Sequence, residues 1–239
     1  MIYYHFNQTA FPLLQTPSGQ DFVKSLLNTQ NFEKSDRLLG FSKGRGVTWF
    51  LNTQPELGVN SVLRHYLRGG LFGKLIKQHY FFNGLDRTRA MQEFALLNQM
   101  VAWNLPVPRP IAVKIERRFC VYQADILLEK IDQTQDLSKF LQNHPLATAQ
   151  YQQIGKLIRR LHDHQVHHSD LNIHNILLDD KGQFWLIDFD KCGIADGENW
   201  KADNLARLHR SFLKEQKRLN IHFQETDWQA LLSGYQENA

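Results

Sequence analysis

The hydrophobic pattern of this chain changes midway along its length, and no other feature of the sequence restricts the fold as much. In the first half short apolar segments alternate with turns, as in residues 41–52, and predict β-strands. The exception is residues 86–103, where the apolar spacing predicts a helix. Helical spacing dominates the second half, apart from a predicted β-hairpin over residues 175–188. We therefore predict an α+β fold with two lobes. Residues 1–131 form an antiparallel-sheet N-terminal lobe with one helix, and residues 132–239 form a mainly helical C-terminal lobe.

The composition is that of an ordinary globular protein. Hydrophobic residues make up 42% and charged residues 22% of the 239 residues, which argues against a disordered or membrane-embedded chain. The two cysteines, Cys120 and Cys192, provide neither a disulfide framework nor a paired metal-binding motif. No run of about 18 apolar residues is present, and the first residues lack the basic segment of a signal peptide. We therefore expect a cytoplasmic protein without membrane-spanning segments.

Three polar side chains at fixed spacing carry the chemical information in the sequence. Asp170 and Asn175 are five residues apart in one loop, and Asp188 follows thirteen residues after Asn175, beyond the predicted hairpin. The hairpin brings Asn175 and Asp188 close together, and amide and carboxylate oxygens are suitable ligands for Mg²⁺. Asp170 is then left to accept a proton from an incoming hydroxyl group. Phosphoryl transfer requires this division of roles.

These residues resemble two motifs of the protein-kinase-like superfamily. The segment from His168 to Asn175 resembles its catalytic loop, and the Asp-Phe-Asp segment beginning at Asp188 resembles its metal-binding motif. The resemblance implies a protein-kinase-like two-lobed fold that forms one catalytic domain, with ATP and Mg²⁺ between the lobes. It implies Asp170 as the catalytic base, and Asn175 and Asp188 as metal ligands. It also implies that His168 is buried and bonds to the backbone near Asp188. The alternative is a set of polar turn residues beside a hairpin.

The N-terminal half contains counterparts of the elements that bind nucleotide in this superfamily. Gly44 and Gly46 lie in a predicted turn whose backbone amides would approach the phosphates closely. Arg64 stands where the superfamily has a lysine that contacts the α- and β-phosphates, and Glu93 stands where that lysine has its helix partner. Glu129 lies in the expected connection between the lobes, whose backbone would meet the adenine edge. For Arg64, a solvated arginine at a strand end is the alternative.

Departures from the protein-kinase pattern point to a small acceptor. Ser169 replaces the arginine that pairs with a phosphorylated activation loop, and Asp190 replaces a glycine. Only 51 residues follow Asp188, too few for a protein-substrate platform. A predicted helix in that part carries Asp203, which either accepts backbone hydrogen bonds from the catalytic loop or faces solvent. We therefore expect a small-molecule or glycolipid acceptor.

Positive charge and aromatic residues are concentrated in residues 61–91. This stretch contains six basic residues and one acidic residue, Asp86, whereas the whole chain has a net charge of only +4. Such a surface can bind an anionic membrane, and a core-packing helix with a solvated basic face is the alternative. Nucleic acid binding is not expected, because no nucleic-acid motif accompanies the stretch. A zinc site is a further alternative for the histidines near the catalytic loop, although their spacing is not typical of one. They are His162, His164, His167, His168 and His174.

Four segments resemble the Kdo (3-deoxy-D-manno-octulosonic acid) kinases, a family of lipopolysaccharide-core sugar kinases. They are LRHYLRGGLFGKL, DRTRAMQEF, HHSDLNIHNILLD and FWLIDFDKC, and the similarity extends from about Gly40 to Arg210. The resemblance implies phosphorylation of the 4-hydroxyl of Kdo on a Kdo–lipid A precursor, at the cytoplasmic face of the bacterial inner membrane. Arg68 and Arg45 are candidates by position for contacts with the sugar carboxylate. The alternatives are a heptose or aminoglycoside kinase of the same fold, or a nucleotide-binding pseudoenzyme that acts as a scaffold.

Overall fold

The computed structural model describes residues 1–28, 32, 35–43, 47–66 and 80–237. The chain forms two compact units: the first comprises Met1–Asn98 and Pro108–Ile131, and the second comprises Gln99–Val107 and Asp132–Ala239. The units differ from the predicted lobes in one respect, because residues 99–107 belong with the helical unit. The side chain of Arg160 donates to the carbonyl oxygen of Asn104 at 2.7 Å, which attaches this segment to the second unit.

The first unit is built on one antiparallel sheet of seven strands. The strands are β1 (Ile2–Phe6), β2 (Leu38–Lys43), β3 (Val47–Leu51), β4 (Ser61–His65), β5 (Tyr80–Phe81), β6 (Pro110–Arg118) and β7 (Val121–Glu129). Six of them follow the order β1-β6-β7-β4-β3-β2, and β5 pairs with the start of β7. Fully buried residues of the central strands, including Ile111, Val113 and Ile126, contribute to the core of this unit.

Three helices begin in the described part of this unit, whereas the sequence predicted one. They are α1 (Pro17–Asn28), α2 (Gln54–Leu57) and α3 (Arg89–Ala102). The expectation of a single helix was therefore wrong, although the predicted α+β class, with an antiparallel-sheet unit and a mainly helical unit, is confirmed. Helix α1 has few apolar residues, but Val23, Leu26 and Leu27 share one face and are buried in the core of the first unit.

The second unit is mainly helical. Its helices are α4 (Leu137–Asn143), α5 (Thr148–Asp163), α6 (Asn199–Leu219) and α7 (Glu225–Gln236). Its strands are β8 (Thr134–Asp136), β9 (Val166–His167), β10 (Ile176–Asp179), β11 (Phe184–Leu186) and β12 (Gly193–Ile194), which form the antiparallel sheets β11-β10-β8 and β12-β9. The hairpin β10–β11 is the one predicted over residues 175–188. Among the helices of the described residues, none has the length and hydropathy needed to span a bilayer.

Helices α5 and α7 are in direct backbone contact at two glycines. A Cβ atom on Gly155 would overlap the carbonyl oxygen of Leu231, and one on Gly234 would overlap the carbonyl oxygen of Gln152. Both positions therefore require glycine, since any side chain would push the helices apart. This contact fixes α5, which is followed by the strand β9 that leads into the predicted catalytic loop.

Candidate active site

The predicted catalytic loop folds around the backbone of Asp170. The side-chain amides of Asn172 and Asn175 both donate to the Asp170 carbonyl oxygen, each at 2.9 Å. The Asn172 side-chain oxygen also accepts the amide hydrogen of His174 at 2.8 Å, at the start of a 3-10 turn over Ile173–Asn175. These bonds fix the segment that presents the Asp170 carboxylate.

The hairpin β10–β11 brings Asn175 next to the segment that contains Asp188, as predicted. The amide of Ile187, the residue before Asp188, donates to the Asn175 carbonyl oxygen at 3.0 Å. Asp188 has a left-handed backbone conformation, with φ of 64°. The side-chain N–H of Asn175 donates to the Asp170 carbonyl oxygen, which leaves the amide oxygen of Asn175 to accept a hydrogen bond or to bind a cation.

His168 connects the loop with the segment around Asp188. Its side chain is fully buried, with Nε2 donating to the Ile187 carbonyl oxygen at 3.0 Å and Nδ1 accepting the Asp170 amide hydrogen at 3.2 Å. These bonds assign the neutral tautomer with the proton on Nε2. Burial lowers the pKa of His168, which favours the neutral ring. The predicted scaffold role of His168 is confirmed.

Helix α6 braces the loop through Asn204, not through the predicted candidate Asp203. The Asn204 side-chain amide donates to the His168 carbonyl oxygen at 2.8 Å, and its oxygen accepts a hydrogen bond from His162 at 3.1 Å. Ser211, two turns later on α6, accepts a backbone amide hydrogen of the loop at 2.9 Å. Asp203 is exposed to solvent, which is the second of the two alternatives that the sequence left open.

The Asp170 carboxylate forms an ion pair with Arg207 of α6, a partner that was not predicted from the sequence. The two side chains are 44% and 47% exposed. Partial burial favours the neutral carboxyl, but the hydrogen bond and the charge of Arg207 outweigh it and lower the pKa of Asp170. Asp170 is therefore ionised at neutral pH, as a group that accepts a proton must be.

In the first unit, Arg64 on β4 and Glu93 on α3 form the pair that the sequence predicted. Arg64 Nη2 donates to Glu93 Oε1 at 2.6 Å, and the Tyr66 hydroxyl donates to Glu93 Oε2 at 2.5 Å. The Glu93 side chain is only 1% exposed, whereas that of Arg64 is 21% exposed. A carboxylate so deeply buried requires partners of this kind. The role of the pair in phosphate binding stays a prediction.

The other predicted nucleotide contacts have different outcomes. Gly44 and Gly46 lie outside the described residues. Glu129, at the end of β7, binds Arg109 through its carboxylate at 2.8 and 2.9 Å, and its amide donates to the Arg109 carbonyl oxygen at 2.9 Å. Because this amide is engaged within the first unit, an adenine contact would have to use another backbone atom of the segment.

The histidines near the loop have partners other than a metal ion. His162 bonds to Asn204 and to Tyr235, and burial lowers its pKa to about 4. His164 stacks on Trp103, and His167 meets the ring of Trp200 edge-on. His174 forms a hydrogen bond with the side chain of Asp136. Among the described residues, no group of three or more histidine, cysteine, aspartate or glutamate side chains is arranged to hold a metal ion. The zinc alternative finds no support in this part of the chain.

The basic stretch over residues 61–91 is described only in part. Its members outside the described residues are Arg68, Lys74 and Lys77, and Arg45 also lies outside them. Arg64 pairs with Glu93, and Arg89 donates to the Tyr80 hydroxyl at 2.9 Å. These two basic residues take part in internal contacts, which agrees with the packing alternative at their positions.

An open cavity of about 570 Å³ lies beside Asp170. Its wall combines catalytic-loop residues with residues of α6, among them Asn172, Asn175, Arg207, Arg210 and Lys214. The three basic residues were not predicted from the sequence. The available signal was their spacing of three and four residues on a predicted helix, which places them on one face.

Comparison with known proteins agrees with the resemblance seen in the sequence. The model of the lipopolysaccharide kinase (Kdo/WaaP) family matches residues 30–235. The chain belongs to this family. As a lipopolysaccharide kinase, the protein is a phosphotransferase whose acceptor is a hydroxyl group.

Individual relatives in this kinase family are similar over most of the chain. A 3-deoxy-D-manno-octulosonic acid kinase from Mannheimia succiniciproducens is 52% identical over 224 residues, which cover 92% of each chain. The protein of the same name from Actinobacillus succinogenes is 50% identical over 86% of this chain and 87% of its own. The one from Haemophilus influenzae is 51% identical over 86% of this chain and 88% of its own. The family resemblance inferred from the four sequence segments is confirmed.

Replacing Arg207 with glutamine should raise the pKa of Asp170, because the substitution removes the positive charge that stabilises the carboxylate. Asp170 in the variant would then bind its proton at a higher pH. A pH titration of ¹³C-labelled aspartate side chains by NMR measures the shift. Asp179 is the internal control, since its carboxylate bonds to Trp185 and to the hairpin backbone. An unchanged Asp170 titration would contradict the electrostatic role of Arg207.

Proposed function

We propose that this lipopolysaccharide kinase transfers the γ-phosphate of ATP to the 4-hydroxyl of Kdo on a Kdo–lipid A precursor, during synthesis of the lipopolysaccharide core. The names of relatives with 50–52% identity support Kdo as the acceptor. The observation that carries the proposal is the position of the Asp170 carboxylate, paired with Arg207, in the wall of a cavity of about 570 Å³. That volume falls within the range of small-ligand sites.

Asp170 is the proposed catalytic base. Its carboxylate accepts the proton of the acceptor hydroxyl while that oxygen attacks the γ-phosphorus, and the bond to the leaving ADP oxygen breaks. Asn172 and Asn175 hold the backbone of Asp170, and Arg207 keeps its carboxylate ionised. Because phosphoryl transfer depends mainly on positioning, this rigid support compensates for the low basicity of Asp170.

Asn175 and Asp188 are the proposed ligands of Mg²⁺. The bond from the Asn175 side-chain nitrogen to the Asp170 carbonyl leaves an amide oxygen, which is a suitable donor for a hard cation. Asp188 adds a carboxylate to the set. One or two protein oxygens fit Mg²⁺, which takes its remaining ligands from phosphates and water. When bound, the ion neutralises negative charge on the phosphates.

The proposed nucleotide contacts lie mainly in the first unit. Arg64 contacts the α- and β-phosphates, and the buried Glu93 fixes the position of its guanidinium group. The partial exposure of Arg64 supports this role. Gly44 and Gly46 are proposed to contribute backbone amides, and the segment at Glu129 is proposed to meet the adenine.

We also propose that the protein binds the cytoplasmic face of the inner membrane through one end of the sheet. Phe119, in the turn between β6 and β7, is 94% exposed, and Phe81 on β5 is 70% exposed. Because β5 pairs with the start of β7, both aromatic residues lie at the same end. Arg117 and Arg118 precede the turn and are exposed. Exposed aromatic and basic residues together are typical of peripheral binding to anionic lipids.

The acceptor is tested by incubating the purified protein with ATP, Mg²⁺ and a Kdo–lipid A precursor. We expect transfer of labelled γ-phosphate to the Kdo acceptor. Parallel reactions with a heptose-bearing core acceptor and an aminoglycoside test the two related kinase alternatives. Transfer only to one of these would contradict Kdo as the acceptor, and nucleotide binding without any transfer would favour the scaffold alternative.

Replacing Asp170 with alanine should lower kcat by about 10²–10⁴-fold, the usual contribution of a general base. The affinity for ATP should change little, since Asp170 is not among the proposed nucleotide or metal contacts. Steady-state kinetics and calorimetric titration with ATP measure the two quantities. Asp203→Ala is the control, because Asp203 is an exposed acidic residue of α6. A near-normal kcat for Asp170→Ala would show that another group is the base.

Replacing Phe81 and Phe119 together with serine should weaken binding to anionic phospholipid vesicles by about tenfold or more, because two apolar side chains no longer enter the interface. Co-sedimentation with vesicles that contain phosphatidylglycerol measures the binding. The control is Leu39→Ser, which removes a residue that is 51% exposed on the edge strand β2. Equal binding by the double variant and the unmodified protein would contradict this docking surface.

A further inference from the structure

We infer that a row of basic side chains on α6 binds the anionic groups of the glycolipid acceptor. The row, which we call the α6 cationic face, consists of Arg207, Arg210 and Lys214. All three line the same cavity as Asp170. The inference rests on the proposed function, because the Kdo–lipid A precursor supplies the anionic groups.

The α6 cationic face starts at the proposed base and leads away from it. Its residues are three and four positions apart, so they share one side of the helix. With a rise of about 1.5 Å per residue, Arg210 lies about 4.5 Å and Lys214 about 10.5 Å along the helix from Arg207. Since Arg207 contacts Asp170 directly, the row extends the active site along the cavity wall.

The charges of the α6 cationic face exceed what the acidic residues of the cavity neutralise. Besides Asp170, the acidic residue lining the cavity is Glu215, whose side chain is 2% exposed and lies 2.6 Å from Arg218. Arg210 and Lys214 are both exposed. Within the described ranges of the chain, neither of them has an ion-pair partner. Two positive charges therefore remain to attract an anionic ligand into the cavity.

The acceptor carries negative charge at two distances from the reacting hydroxyl group. The carboxylate of Kdo belongs to the same sugar as the 4-hydroxyl, whereas the phosphates of the lipid A part are farther away. Arg210, one turn from Arg207, is suited to the carboxylate, which a guanidinium group binds through two parallel hydrogen bonds. Lys214, one turn farther along α6, is suited to a lipid phosphate. The row thus orients the sugar with its hydroxyl at Asp170.

The first experiment measures the KM for each substrate in Arg210→Ala and Lys214→Ala. We expect each substitution to raise the KM for the Kdo acceptor by about tenfold or more, because each removes a charge-assisted contact with the acceptor. The KM for ATP should stay unchanged. Lys181→Ala is the control, since Lys181 is an exposed basic residue of the same unit that lies on the β10–β11 hairpin. Thermal unfolding confirms that all variants are folded, which is expected for exposed positions.

The second experiment uses acceptors that lack one anionic group. With an acceptor whose Kdo carboxyl is reduced to an alcohol, Arg210→Ala and the unmodified protein should have the same KM. With an acceptor that lacks the lipid phosphates, Lys214→Ala and the unmodified protein should have the same KM. Combining a protein variant with an altered acceptor in this way is equivalent to a double-mutant cycle, which isolates the interaction between one side chain and one ligand group.

The outcomes separate this inference from the proposed function. An unchanged acceptor KM in both variants would overturn the inference, and so would a rise in the KM for ATP alone, which would assign the row to the nucleotide. The inference would also be overturned if each variant still had a higher KM than the unmodified protein for the acceptor that lacks the corresponding anionic group. Failure of the unmodified protein to phosphorylate the Kdo acceptor would instead overturn the proposed function.

Discussion

The active-site architecture depends on the hydrogen bonds that the neutral imidazole of His168 forms. Its two nitrogens bond to the carbonyl of Ile187 and the amide of Asp170, and its own carbonyl accepts from Asn204 on α6. One buried residue thereby connects the loop, the hairpin and the helix. A protonated ring has no acceptor for the Asp170 amide, and burial opposes that protonation. Because the partners of His168 in the loop and hairpin are backbone groups, it fixes whole segments rather than single side chains.

Each of the two units contains an ion pair in its predicted site, and the two pairs differ in how deeply they are buried. Glu93 is buried, so removing its partners would leave an uncompensated charge in the core. Asp170 and Arg207 are both nearly half-exposed, and water screens their attraction. The first pair therefore holds its arginine at a fixed position, whereas the second pair is held less strongly. The difference follows from burial and not from residue type.

The parts predictable from the sequence are those with a local signal. The spacing of the loop and the hairpin correctly predicted that Asn175 lies beside the segment that contains Asp188, because a short hairpin leaves few alternatives. Helix α1 was missed because its few apolar residues become a buried face only when packed into the core. The two alternatives for Asp203 could not be decided, and its neighbour Asn204 was not considered, since a sequence pattern does not fix the rotation of α6 and one residue turns the helix by about 100°. Arg207, Arg210 and Lys214 are common surface residue types. Only the cavity that they share with Asp170 distinguishes them.

At Asp188, which has a left-handed backbone conformation, the residue best for stability differs from the residue that the proposed metal site needs. A residue with a Cβ atom pays roughly 1–2 kcal/mol for this conformation, less for aspartate than for most others, and glycine avoids the cost. A sequence optimised for stability alone would therefore carry glycine at position 188. That choice would remove the carboxylate proposed to hold the metal ion. Engineering of this kinase for thermal resistance should accordingly leave this position untouched and seek its gains elsewhere in the chain.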